Sequence, residues 1–412
     1  FDKELSENNI VTIQPDSLRI LHNPLTGWVL YASMGVDAAD FWAQYDHMYI
    51  PELGHKVSVT DYAHTLYIRA SWTDFNPQED VYGWKFDSNL RAYIEGAYQR
   101  NMRLAFRVVV DSRDKRTGFT PQFVKDAGAK GFMNKGKWSP YSDDPVFQKY
   151  YTKFVKALAK DFNDPSKVEF IDGFGLGKWG EYHTMIYSTG DDTPKKAVFN
   201  WVTDIYSQAF DKVPVVINYH RWIGAGKDWV DDEHFAADSE EMLEEAIKKG
   251  YSLRHDAFGM TTYYGSWERR FAKKYRNICP IIMEGGWIVK SHNYWQDPRG
   301  YRKDSHEDVR RGEFDDSKEA HVNMMDFRFG DTESWFKDAF DLVRRFLREG
   351  GYRLYSSEIS LPLEVSKKTT PTIKHCWNNL GWGYCPTNIP QWNQKYKVAF
   401  ALLDSETNEV RY

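Results

Sequence analysis

Short apolar runs alternate with amphipathic stretches along most of the chain. Residues 27–33 (GWVLYAS) and 65–72 (TLYIRASW) read as the first two strands. A helix is predicted from Ser88, because Leu90, Tyr93, Ile94, Ala97 and Tyr98 recur at helical spacing and Asp87 or Ser88 can cap the first turn. Residues 103–110 (RLAFRVVV) are nearly continuous in apolar character, as a buried parallel strand is. The next helix follows Asp143-Asp144-Pro145, a cap and then proline in the first turn, with Phe147, Tyr150, Tyr151, Phe154 and Leu158 on one side. Strands are expected at 168–176, 213–219, 252–259, 280–284 and 321–327, and helices at 194–210, 239–249, 266–276 and 332–349. The helix at 239–249 stops at Gly250 and the last one at Gly350-Gly351. Residues 288–320 are polar, charged and punctuated by Tyr and Trp, and are expected to form an active-site loop or lid.

Eight strands alternating with helices predict an α/β fold in which a parallel sheet closes into a (β/α)8 barrel. An open doubly wound sheet is the rival, weakened by the lack of a GxGxxG or Walker loop after the first strand. The expected organisation is an N-terminal extension packing on the barrel (1–22), the barrel (23–350) and a β-rich C-terminal unit (351–412). Strands at 352–362, 372–386 and 396–412, with a turn at Asp404–Asn408, suggest a small β-sandwich that stops on a strand and reads as incomplete.

At 412 residues the chain suits one barrel and an appendage, and 42% apolar content supports a large core. A net charge of −5 with scattered lysines and arginines gives no footprint for nucleic acid. No run of 18 apolar residues would span a membrane. Aromatic residues reach 16%, which fits either core filler or a cleft whose rings stack on sugars. Cys376 and Cys385 lie close enough in sequence for a disulfide, though free thiols are equally allowed, and with Cys279 they form no metal-binding spacing. The chain begins at Phe1, so an export signal is expected to have been removed, and an extracellular, periplasmic or cell-surface location follows for an enzyme acting on polymers.

Barrel active sites stand at the C-terminal strand ends. Glu181 follows the fourth strand in GFGLGKWGEYH, and Glu284 ends the seventh in IIMEGGW. Strands four and seven face each other across the mouth, where two carboxylates about 5–5.5 Å apart would suit a retaining glycosidase. Glu284 would attack the anomeric carbon as a carboxylate, and Glu181 would be held protonated by an apolar setting beside Trp179 and Tyr182. Arg69 and Arg107 are candidates to hold Glu284 ionised, or else are structural barrel arginines. Asp111, His255 and Asp256 also lie near strand ends; the last two are adjacent, so at most one faces the site. Trp72, Trp179 and Trp287 are candidate stacking walls. Each glutamate alone could be a salt-bridged loop residue; the pair is more persuasive because both fall on the strands the chemistry needs.

Around these residues the chain resembles the large clan A of retaining glycoside hydrolases, motif-specifically only at the two glutamates. The resemblance implies Glu181 as acid/base, Glu284 as nucleophile, Arg69 as the strand-two arginine, and Tyr263 or Tyr264 as the tyrosine that touches the nucleophile. GKWGEYH is also similar to the WGEWH-type run of bacterial barrel proteins with a C-terminal β-domain. One departure is Gly180, where the clan places an asparagine that binds a sugar hydroxyl; Asn218 or His220 would take over that contact. The implied function is glycosidic hydrolysis through a covalent glycosyl-enzyme, with a carbohydrate partner and no cofactor. The alternatives are a non-catalytic carbohydrate-binding barrel and a metal-dependent hydrolase, the latter disfavoured because the first strand lacks histidines. Arg69, Arg107, Arg254 and the arginine-rich stretch 298–311 would suit an acidic or sulfated glycan.

Overall fold

The computed structural model describes residues 8–111, 118–134, 136–226, 233–259 (233–235 by backbone only), 263–286, 297–328, 330–366, 368 and 370–411. Eight parallel strands form one closed barrel: β1 (Gly27–Tyr31), β2 (Ala63–Ser71), β3 (Arg103–Val109), β4 (Val168–Asp172), β5 (Val215–Asn218), β6 (Ser252–Phe258), β7 (Ile281–Gly285) and β8 (Met324–Asp326). Each pairs with the next, and Met324 of β8 pairs with Gly27 of β1 to close the ring. The expected (β/α)8 architecture is therefore present, and the open sheet is not.

The helices fall where the apolar stripes place them. Asp87 caps Ser88–Gln99 by accepting the Leu90 N–H at 2.7 Å, and Asp144 caps Pro145–Phe162 through the Phe147 N–H at 2.8 Å. The expected helix 332–349 is two, Thr332–Asp338 and Phe340–Glu349, separated by Ala339 in a non-helical conformation. A larger correction concerns the loop expected at 288–320. Its second half is the helix His306–Glu319. The helical pattern was hidden because the buried face is largely polar: Arg310, Glu313, Asp316 and Ser317 are buried beside only Val309 and Phe314.

Strand periodicity explains where the chemistry sits. Inward positions alternate along each strand. Val29, Tyr67, Ala105, Phe170, Val216, Ile282 and Met324 form an apolar layer inside the barrel. Two residues further along the same strands stand Tyr31, Arg69, Arg107, Asp172, Asn218, Glu284 and Asp326, joined by Arg254 of β6. The barrel is thus greasy at its floor and ionic at its C-terminal mouth.

The remaining chain builds a three-stranded antiparallel sheet in which Leu354–Pro362 lies between Asn8–Thr12 and Lys374–Asn379. The N-terminal strand pairs with the C-terminal segment, while His22 at the end of the extension packs edge-on against His64 of β2, ring centres 3.9 Å apart. The strand expected over 372–386 is limited to Lys374–Asn379, and within 396–411 only Leu403 and Val410 bridge, around the turn at Asp404. Tyr352, Ile389 and Trp392 of this segment pack on the apolar barrel layer and close its floor. All three cysteines are free thiols. Among the described residues no helix is long and apolar enough to cross a membrane.

Candidate active site

The loop after β4 delivers Glu181 through a strained path. Gly175, Gly177, Trp179, Gly180, Tyr182 and Thr184 all have left-handed φ. At Gly175 a Cβ would stand 1.9 Å from the Val108 carbonyl oxygen, so the turn that ends β4 admits no side chain there. Gly180 is also left-handed, with Gly175 and Arg107 3.3–3.4 Å from a would-be Cβ.

Glu181 is buried and ringed by donors. Arg107 Nη1 donates to Oε1 at 3.2 Å, Tyr263 Oη donates to Oε2 at 3.2 Å, and His183 Nε2 lies 3.4 Å from Oε2. His220 fixes the backbone. Its Nδ1 accepts the Trp222 N–H at 3.1 Å, so Nε2 carries the hydrogen and donates to the Glu181 carbonyl at 2.7 Å. Burial drives the His220 pKa well below its ordinary value, which keeps that neutral tautomer. Burial alone would raise the Glu181 pKa, but the His183 contact and the charges of Arg107 and Arg69 outweigh it and hold the carboxyl below the usual range. The expectation that an apolar setting keeps Glu181 protonated at rest is therefore not met.

Glu284, at the end of β7, is equally buried. Arg254 donates to Oε2, Arg328 Nη1 donates to Oε1 at 2.8 Å, and Arg107 Nη2 stands 3.5 Å from Oε2. Burial opposes ionisation, yet Arg254, Arg107 and Arg328 together lower the pKa to about 2. The supporting layer is continuous: Asp172 accepts from Arg107 Nε at 2.6 Å and Tyr67 Oη at 3.0 Å, and Asp326 accepts from Arg254 Nη2 at 3.0 Å.

The other expected site residues divide. Arg69 does not bond Glu284 directly; it donates to Tyr31 Oη at 3.3 Å and to the Trp179 carbonyl at 3.0 Å. Asn218 accepts from Arg107 Nη2 at 2.8 Å. Trp179 is half-buried, with Lys178 Nζ 4.2 Å from its ring centre. Tyr263 donates its hydroxyl hydrogen to Glu181. Tyr264 turns outward into the core, stacked on Phe258 at 4.3 Å. Trp72 is no cleft wall: it opens the helix Trp72–Phe75 and is fully buried among Phe147, Tyr151 and Phe154. Asp111, just beyond β3, lies 3.5 Å from the Ser139 hydroxyl. Trp287 lies outside the described residues. Of the adjacent pair, Asp256 approaches the glutamates, whereas His255 packs against Tyr219 and Tyr264. Arg299, Arg302, Arg310 and Arg311 are each paired with a carboxylate of their own segment, which removes them as free cations for an acidic glycan.

Arg328, Asp172, Asp326, Tyr67 and His183 were not singled out from sequence. All but two follow from strand parity; Arg328 lies past the end of β8, and His183 stood in the quoted run GKWGEYH. Glu181, Asp256 and Glu284 each offer an oxygen within 4.8 Å of the others, a spacing a metal ion would accept. The two glutamates, however, already face Arg107, Arg254 and Arg328, and a further cation would be repelled by them.

No protein-family model matches the chain, and no curated protein matches it. Among solved structures, similarity is found to an exo-β-1,4-mannosidase, Op5Man5, from Opitutaceae bacterium strain TAV5 (11% identity, TM-score 0.46), covering 78% of this chain and 59% of that one. The chain thus spans somewhat under two thirds of that protein. A lactosyl-enzyme intermediate of endo-glycoceramidase II from Rhodococcus sp. matches at 13% identity and TM-score 0.45, over 81% of this chain and 79% of that one. Endoglucanase Cel5A from Pseudomonas stutzeri matches at 9% identity and TM-score 0.43, over 78% and 94%.

Proposed function

We propose that this chain is a retaining glycoside hydrolase in which Glu284 is the nucleophile and Glu181 the acid/base. The carrying observation is that these carboxylates, from the ends of β4 and β7, bring oxygens within 4.8 Å of each other. Retaining glycosidases hold their carboxyl groups about 5–5.5 Å apart, whereas inverting ones leave about 6.5–9.5 Å for a water. Three guanidiniums keep Glu284 ionised, as attack on an anomeric carbon requires. Its lone pair forms the ester bond while the glycosidic bond breaks towards the leaving oxygen. Glu181 protonates that oxygen, then takes a proton from the water that hydrolyses the ester. Tyr263 and Arg107 orient Glu181, and His220 fixes its backbone. The half-buried Trp179 supplies a ring face for sugar stacking. A polymeric glycan outside the cytoplasm is the substrate setting this reading favours.

The test is hydrolysis across a panel of plant, algal and host glycans by the wild type and Glu284→Gln. Loss of the nucleophile should reduce turnover by several orders of magnitude without unfolding the protein. Equal activity in both overturns the assignment of Glu284. Binding without cleavage by the wild type would instead make the chain a carbohydrate-binding barrel.

A further inference from the structure

The ionic layer does not balance by pairing alone. Arg69, Arg107, Arg254 and Arg328 meet Asp172, Glu181, Asp256, Glu284 and Asp326, so four guanidiniums face five buried carboxyl groups, and among the described residues the one titratable cation beside them, His183, stands against Glu181 at 3.4 Å rather than against Asp256. An unpaired buried negative charge is costly, and a group so placed keeps its proton instead. Geometry indicates which. Asp172, Glu181, Glu284 and Asp326 each have a guanidinium nitrogen within 3.2 Å. Asp256 Oδ1 takes the Ala257 N–H at 2.7 Å, and its guanidinium neighbour, Arg328 Nη1, stands at 3.5 Å. That same nitrogen is 2.8 Å from Glu284. The Asp256 side chain is also 11% exposed, against 0–1% for the two glutamates, so it reaches furthest towards the mouth. The groups that face it are Glu284 of β7, Arg328 beyond β8, Glu181 beyond β4, Arg107 of β3 and the Tyr263 phenol beyond β6. Burial and the Glu284 charge drive its pKa well above the ordinary value, ahead of the opposing pull of Arg328.

We propose that Asp256 is the proton store of this site, holding the proton at rest and supplying it to Glu181 as Glu284 becomes esterified, with Arg328 as the shared counterion that times the transfer. This rests on the glycosidase reading above. Glu181 is held as a carboxylate by three donors, so it needs a proton source before it can serve as acid. Oxygens up to 4.8 Å apart leave room for one bridging water between the two carboxyls. When Glu284 attacks, its charge is lost in the ester, and Arg328 is left to Asp256 alone. Asp256 then becomes the stronger acid: its proton passes to Glu181, and the Glu181 proton goes to the leaving oxygen, which keeps the electron pair of the broken bond. In the second half, water gives a proton to Glu181 and its hydroxide displaces the ester. Glu284 is freed as a carboxylate, and the proton on Glu181 returns to Asp256. One water is consumed, and the charge of the cluster is the same before and after each half.

Infrared spectra of the full chain at neutral pH test the resting state without any substrate. Glu313, whose pKa burial raises to about 7, also contributes a protonated-carboxyl carbonyl band, so the readout is the difference from wild type: a component should be lost in Asp256→Asn and retained in Glu181→Gln. In Glu284→Gln, where the like charge is gone, that component should titrate on the order of one or more pH units lower. A component that survives Asp256→Asn but disappears in Glu181→Gln overturns the proposal. With aryl glycosides of the sugar found by the panel, Asp256→Asn should slow release of phenol roughly 10²–10⁴-fold and leave release of 2,4-dinitrophenol, which needs no proton, nearly unchanged. Equal losses on both would make Asp256 merely structural. Failure of the glycosidase reading is separable, since the infrared result stands even if the wild type cleaves no glycan.

Discussion

At the scale of the residue, Arg107 holds the site together. One guanidinium reaches Asp172, Glu181, Asn218 and Glu284, a use of the planar fork that lysine cannot copy. Removing it by Arg107→Met leaves several buried carboxylates short of a partner, and such loss typically costs about 3–5 kcal/mol. Urea unfolding should show a fall of that order, and a change below about 1 kcal/mol would mean that proton uptake or water repairs the layer. Glu181 and Glu284 were legible in sequence because each closes an apolar run. Arg254 reads in sequence only as a possible glycan contact, because within SLRHDAFG an isolated arginine gives no sign of the three carboxylates it meets. Trp72 misled for a local reason. Ser71 and Asp74 form a capping box that turns the chain into a helix, carrying the tryptophan away from the mouth and under the helices.

At the scale of the element, apolar periodicity located every barrel strand, and it failed where burial is ionic. The helix His306–Glu319 presents Arg310 and Glu313 inward, with Arg310 Nη1 donating to Glu313 at 2.5 Å and Nε to Ser334 at 2.8 Å. Glu313 Oε1 in turn accepts the Gly286 N–H at 3.0 Å, which ties this helix to the exit of β7 two residues beyond the nucleophile. Burial raises the Glu313 pKa to about 7 despite Arg310. The folded state therefore binds this proton more tightly than the unfolded chain, whose ordinary value is 4.5. This group's contribution to stability is fully present below the unfolded value and is lost as pH rises through about 7. Arg310→Met should amplify that slope. Near pH 5 Glu313 escapes by protonation, whereas near pH 8 it must be buried charged and unpaired. Denaturant midpoints for the variant should thus fall further below wild type at the higher pH; a deficit independent of pH would show that Arg310 acts through packing alone.

At the scale of the whole molecule, the barrel has a charged mouth and an apolar floor, and the two ends are built by different parts of the chain. The mouth is made by strand ends and their loops, so its chemistry follows from positions two residues above the apolar layer. The floor is sealed from outside the barrel: Trp392, Ile389 and Tyr352 pack on Leu25, Val29, Phe170 and neighbouring interior residues. Sequence periodicity did not reveal this plug, since Trp392 sits in an irregular segment with no repeat to read. The arrangement couples the C-terminal segment to the barrel, although the three-stranded sheet beside it shares no strand with the barrel. Trp392→Ala would open a cavity against the lowest interior layer, a loss of about 3–5 kcal/mol for a buried tryptophan. If the plug is part of the barrel core, that loss appears in the main cooperative transition, followed by tryptophan fluorescence and far-UV circular dichroism together. Two separate transitions, with the barrel transition unmoved, would show instead that the C-terminal segment rests on a floor stable without it.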